Sequence, residues 1–68
     1  MKINIFIDRE NISKNIILDE NSIVSDLLKK LNMNPVTVIV SKNGELVMGS
    51  EKINEDDKIK IFSVISGG

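Results

Sequence analysis

Apolar and polar residues alternate through Lys2–Asp8, with Ile3, Ile5 and Ile7 on one parity and Phe6 on the other. Alternation at period two turns one set of side chains to a core and the other to solvent, so this segment predicts a half-buried strand. Asp8-Arg9-Glu10-Asn11 is a polar interruption of turn length. Beyond it Ile12–Leu18 reads as a second strand, with Ile12, Ile16 and Leu18 sharing parity, Lys14 breaking the pattern and Ile17 opposed. Two short strands around a polar turn predict a hairpin. The period then changes. Ile23, Val24, Leu27, Leu28 and Leu31 form a single apolar stripe at helical spacing. Asn21 or Ser22 is the expected N-cap, accepting a free backbone N–H of the first turn. Asp19, Glu20 and Asp26 put negative charge at the positive end of the helix dipole, and Lys29 and Lys30 sit near the negative end. Asn32-Met33-Asn34-Pro35 stops the helix, because Pro35 lacks an N–H and drives Asn34 out of helical geometry.

The second half is again strand-like. Val36–Val40 is β-branched throughout except for the proline before it, and predicts a third strand. Asn43-Gly44 is a strong hairpin signal because both residues tolerate positive φ, so Leu46-Val47-Met48 is expected to return as a short fourth strand ended by Gly49. Ser50–Asp57 is a charged loop in which Ile53 alone is suited to tuck inward, and Lys58–Ile65 predicts the last strand. In that strand Ile59 and Ile61 lie on one parity, and Lys60, Phe62 and Val64 on the other. One helix over one mixed sheet is the simplest way to cover the helical stripe and the apolar strand faces. The first and last strands, the most regular, belong side by side in the middle, and the helical crossover between them makes their pairing parallel. The fold class is therefore α+β, a β-grasp of order strand-strand-helix-strand-strand-strand. Residues 1–65 form its domain and 66–68 a flexible tail.

Composition narrows the chemistry. A chain of 68 residues holds one domain, and at that length only roughly 60% of the unfolded surface is buried. With no cysteine there is no disulfide, thiolate nucleophile or sulfur-ligated metal, and with no histidine there is no imidazole base. Ser22, Ser25, Ser41, Ser50, Ser63 and Ser66 therefore lack a base to activate them. Glu55-Asp56-Asp57 reads as an acidic turn before a strand rather than a metal site, since calcium loops need oxygen ligands at fixed alternating positions. Nine Lys+Arg against ten Asp+Glu, net −1, provide no basic excess for nucleic acid. No apolar run approaches the roughly 20 residues that cross a bilayer, and a cytoplasmic location with no membrane partner is expected.

Gly67-Gly68 closes the sequence directly after an apolar strand and Ser66. Glycine has no Cβ, so such a segment can thread a channel too narrow for side chains and leave a terminal carboxylate uncrowded.

The chain resembles the ThiS/MoaD family of ubiquitin-like sulfur carrier proteins over its whole length. The resemblance is most specific in Ile23-Val24-Ser25-Asp26-Leu27-Leu28-Lys29-Lys30-Leu31 and in Ile59-Lys60-Ile61-Phe62-Ser63-Val64-Ile65-Ser66-Gly67-Gly68. The closing Val-Ile-Ser-Gly-Gly is similar to the Val-Ile-Ala-Gly-Gly ending of thiamine-type carriers. Family members often carry Asp-Gly-Asp before the last strand; here Asp56 stands at the glycine, a position Asp can also occupy. The resemblance implies a carrier rather than an enzyme, with no cofactor of its own. A ThiF/MoeB-like partner adenylates the Gly68 carboxylate with ATP and Mg²⁺, a persulfide donor supplies sulfur, and a thiocarboxylate on Gly68 passes that sulfur to an acceptor held by a synthase. Gly67 and Ser66 give access. Parity adds a docking surface: if the first and last strands are neighbours, Phe6, Phe62 and Val64 share the sheet face turned away from the helix, and exposed aromatics there mark a contact.

Phe6-Ile7-Asp8-Arg9-Glu10 keeps only the Arg-Glu of the longer Phe-Ala-x-Leu-Arg-Glu segment of molybdopterin-type carriers, which favours the thiamine-type branch. Sulfur donation for tRNA thiolation, or conjugation to protein lysines as a ubiquitin-like modifier, stays open, followed by the small subunit of molybdopterin synthase. The competing class is a stand-alone β-grasp binding module.

Overall fold

The computed structural model describes residues 1–64; Ile65, Ser66, Gly67 and Gly68 lie outside the described residues, and with them the expected boundary between domain and tail. The hairpin forms as β1 (Lys2–Ile7) and β2 (Ile12–Ile17), antiparallel, with Ile7 opposite Ile12 and Lys2 opposite Ile17. Asn11 makes the turn at φ 53°, a left-handed value that Asn accepts with little strain. Leu18 falls just past β2 but stays in its ladder, since the Met1 nitrogen donates to Leu18 O at 2.6 Å and the Leu18 N–H returns to Met1 O at 2.8 Å.

The helix α1 (Val24–Lys30) is entered differently from the sequence reading. Neither Asn21 nor Ser22 caps it: Ile23 holds the N-cap position and has no side chain able to accept. Asn21 is spent on a left-handed turn at φ 69°, and the Ser22 hydroxyl donates to Asp19 O at 2.6 Å. The orphan N–H groups of the first turn find partners elsewhere. Val24 N–H donates to Glu51 O and Ser25 N–H to Gly49 O, both at 2.9 Å, while the Asp26 carboxylate accepts from Ile23 N–H at 2.9 Å. A distant loop therefore does the work of a capping side chain. Gly49 lets that loop close in, because a Cβ there would stand 2.6 Å from Ser25 Oγ.

Asn34 ends the descent from the helix by accepting Val36 N–H through Oδ1 and, through its carbonyl, Thr37 N–H and the Thr37 hydroxyl. With Pro35 at its first position, this local closure winds Pro35–Thr37 into a 3₁₀ turn. The third strand consequently runs later than its β-branched pattern predicts: β3 is Val38–Lys42. Asn43 and Gly44 then form the two-residue turn at φ 52° and 89°, giving β4 (Glu45–Val47) and a register of Lys42 opposite Glu45. Met48 lies past β4. The last strand, β5, is Lys58–Ser63, entered from Asp56 at φ 72°, so the aspartate does take the conformation a glycine would hold.

The five strands form one sheet in the order β2-β1-β5-β3-β4, with β1 and β5 parallel and the remaining pairs antiparallel. This is the mixed β-grasp sheet, with the two most regular strands adjacent. Its inner face carries Ile3, Ile5 and Ile7 from β1, Ile59 and Ile61 from β5 and Val40 from β3, packed with Val24, Leu27 and Leu28 of α1. Ile53 from the charged loop joins them at 1% exposure. A buried aliphatic side chain of this size contributes about 1.5–3 kcal/mol, so this one layer dominates the fold's stability. Lys42 ties the loop down with bonds to Glu51 at 2.7 Å and Lys52 O at 3.0 Å. The Glu51 bond holds its ammonium above the usual lysine value, against the opposing effect of burial.

Candidate functional site

The cross-strand registers map the outer face of the sheet. Phe6 lies opposite Lys60, Lys60 opposite Ser41, and Ser41 opposite Leu46, so these four cross the sheet in one row from β1 to β4. One row nearer the C-terminal end of β5, Phe62 lies opposite Ile39. Beyond that, Val64 N–H donates to Thr37 O at 3.0 Å, the last described bond before the chain runs on to Gly68. In the other direction Asn4 lies opposite Lys58 on one side and Asn15 on the other, and Lys2 opposite Ile17. The pairing of Val38 with Ser63 continues the β5 ladder without a slip, which keeps the parity of Phe62 fixed.

Phe6 and Phe62 thus share the face turned away from the helix. They are half-buried rather than freely exposed; the more open apolar side chains of the same face are Leu46 at 70%, Ile17 at 61% and Ile39 at 40%, and Val64, just past the end of β5, is exposed as well. Phe6 and Leu46 lie in the middle row, Phe62 and Ile39 in the row nearer the C-terminal end of β5, and Ile17 alone at the opposite end beside Lys2. The sequence reading named Phe6, Phe62 and Val64 for this face and did not name Ile39 or Leu46. Leu46 was within reach, because a two-residue Asn-Gly turn fixes Ser41 opposite it. Ile39 was not, since its place beside Phe62 depends on the register between β3 and β5, which are separated in sequence by β4 and the charged loop.

Phe62 and Leu46 flank a shallow basin of about 660 Å³, with the buried Ser41 at its floor and Lys58, Lys60, Asn43 and Gly44 around it. Asn43 is more than a turn residue. Its amide donates to Asp57 Oδ1 at 2.9 Å and its Oδ1 accepts from Lys58 N–H at 2.8 Å, stapling the β3–β4 hairpin to the start of β5. Burial pushes the Asp57 carboxyl up, but the bonds from Asn54 N–H and the Asn43 amide, with the Lys42 charge, outweigh it and leave the group below its usual value. The acidic turn is therefore held by its own hydrogen bonds, and among the described residues no group of three or more acidic side chains is arranged to hold a metal ion. No helix among the described residues is long and apolar enough to cross a membrane. Ser66, Gly67 and Gly68, the expected access residues and sulfur-bearing terminus, lie outside the described residues.

Known proteins share both the shape and the sequence. SAMP1 from Haloferax volcanii, known from its crystal structure, matches with a TM-score of 0.76 over 100% of both chains at 18% identity, which is a likeness of fold. The sulfur carrier protein TtuB of Thermus thermophilus is 33% identical over 48 residues, 71% of this chain and 74% of that protein. The sequence pattern of the ThiS family matches residues 2–68, and on that match, which spans sheet, helix and terminal glycines together, the chain belongs to the ThiS family.

Proposed function

We propose that this protein is a sulfur carrier whose sulfur rides as a thiocarboxylate on Gly68, and that it serves the formation of the thiamine thiazole. The observation that carries the reading is the family match through Gly67-Gly68. It is supported by the apolar side chains of the outer face, of which Phe6, Leu46, Phe62 and Ile39 lie in the two rows toward the C-terminal end of β5.

The chemistry follows from a carboxylate that is a poor electrophile until activated. An oxygen of Gly68 attacks the α-phosphorus of ATP, held with Mg²⁺ by an adenylating partner, and pyrophosphate leaves. The terminal sulfur of a persulfide attacks the acyl carbon and AMP leaves; a second thiol then attacks the persulfide's own cysteine sulfur, forming a disulfide with it and breaking the S–S bond, so that the transferred sulfur stays on Gly68 as the thiocarboxylate. The carrier supplies only a reachable terminus and a docking surface, which fits a chain without cysteine or histidine. Four residues follow Val64, the last of them Gly68, so the activating centre has to lie within ~14 Å of the edge where the sheet ends. Phe6, Phe62 and Val64, with Ile39 and Leu46, form the docking surface, and Gly67 and Ser66 let the tail enter a narrow channel. A cytoplasmic setting, where ATP and persulfide donors occur, suits this role.

Incubation with ATP, Mg²⁺, the source organism's adenylating enzyme and a persulfide donor tests the reading by intact mass. The expected result is a gain equal to replacement of one oxygen by sulfur, abolished on removal of Gly67-Gly68. No gain, together with full function of the truncated chain in cells, would show a β-grasp binding module instead. Rescue of thiamine auxotrophy by the full chain, without rescue of tRNA thiolation, assigns the pathway.

A further inference from the structure

The outer face differs in charge from the molecule that carries it. The chain is net −1, with ten carboxylates, yet the outer-facing strand positions hold Lys2, Lys58 and Lys60 and no Asp or Glu. Asp56 and Asp57 approach only from the turn beside Lys58, and Asp57 is already engaged by Asn43 and Asn54. Among the described residues, neither Lys58 nor Lys60 forms an ion pair, whereas Lys30 and Lys42 are tied to Ile17 O and Glu51. Lys60 is flanked across the strands by Phe6 and Ser41, both uncharged. The two free ammonium groups line the same basin as Phe62 and Leu46.

An anionic protein that keeps its carboxylates off one face, and leaves two unpaired cations there beside the apolar side chains of Phe62 and Leu46, is complementary to an acidic surface with an apolar projection. We infer that the adenylating partner seats an acidic segment in this basin, an apolar side chain between Phe62 and Leu46 and carboxylates against Lys60 and Lys58. The inference rests on the carrier reading and adds to it the chemistry of the partner's docking segment. Phe62 and Leu46 set where the partner sits. The lysines set how fast it is found and which partners are refused, because opposed charges steer encounter and like charges repel.

The test measures adenylation of the full-length wild type, Lys60→Glu, Lys58→Glu/Lys60→Glu and Lys60→Arg by the source organism's adenylating enzyme. Lys29→Glu on the exposed side of the helix controls for net charge, and thermal melts confirm folding. The inference expects KM to rise about tenfold or more for Lys60→Glu and further for the double variant, with Lys60→Arg and Lys29→Glu near wild type. It also expects the wild-type KM to climb with salt as the charges are screened, and that slope to flatten in the double variant. Equal KM values for Lys60→Glu and Lys29→Glu, or a salt-independent wild type, overturn it while leaving the carrier reading intact. A wild type that is not adenylated at all overturns the carrier reading and this inference with it.

Discussion

The two faces of one sheet use the same strands for different ends. On the inner face every large side chain of β1 and β5 is isoleucine, and Ile3, Ile5, Ile59 and Ile61 are at most 2% exposed. On the outer face the intervening positions hold Asn4, Phe6, Lys58, Lys60 and Phe62, half-buried or exposed. Branched aliphatics fill a dry layer under a helix at high density, whereas aromatics and lysines present area and charge to a partner without burying a polar group in the free protein. A small domain with only one core thus keeps folding and recognition apart by the pleat alone. That separation can be broken from either side.

The largest contrast comes from one substitution on each face. Phe62→Asp is expected to abolish adenylation while the thermal melt stays cooperative, since the side chain lies on the open face; normal turnover would remove the docking surface from the account. Ile5→Ala, on the inner face, should cost about 2–5 kcal/mol in urea unfolding, through lost burial and an unfilled cavity. A loss no larger than that of a surface change would mean the layer under the helix is not the principal core.

A smaller effect lies where the faces meet. Asn43→Ala removes the bonds to Asp57 and to Lys58 N–H and puts alanine at positive φ, so it should destabilise by about 1–2 kcal/mol. Asn43→Gly should recover the turn and not the staple, leaving it between the two; a glycine variant as weak as alanine would argue that the turn conformation contributes nothing.

The smallest expected effect is a pH dependence. The Asp57 carboxyl sits below its usual value in the folded chain, so the unfolded chain binds the proton more readily. The associated stability is present above the unfolded carboxylate value of about 3.9 and is lost as pH falls through the lower folded value. Asp57→Asn should flatten that part of the stability curve; an unchanged acid limb would show that the Asn43–Asp57–Asn54 bonds contribute no linkage.

Much of this was legible from side-chain pattern. Alternation in Lys2–Ile7 and Lys58–Ser63 named the inner isoleucines and the outer phenylalanines, because a period of two leaves no choice once one face is buried, and the helical crossover between the two strands named their parallel pairing. Asn43-Gly44 named its turn, and Asp56 its left-handed position, because few residues tolerate that backbone. What failed was local competition settled at a distance. Asn21 and Ser22 looked like caps, but carbonyls of residues 49 and 51 reach the helix first, and a helix end needs partners for its N–H groups whatever their source. The β-branched run after Pro35 looked like strand from its first valine, yet Asn34 folds those residues back on themselves before pairing can begin.

The sequence by itself determined most of the elements and the inner and outer sets, since periodicity and turn chemistry are written residue by residue, and its likeness to known carriers gave the family. Tertiary structure alone decided which outer residues are neighbours. Phe62 beside Ile39 and Lys60 between Phe6 and Ser41 both depend on the register of β5 against strands far from it in sequence. Register is set by the packing of the whole core against the helix, and no local pattern encodes it.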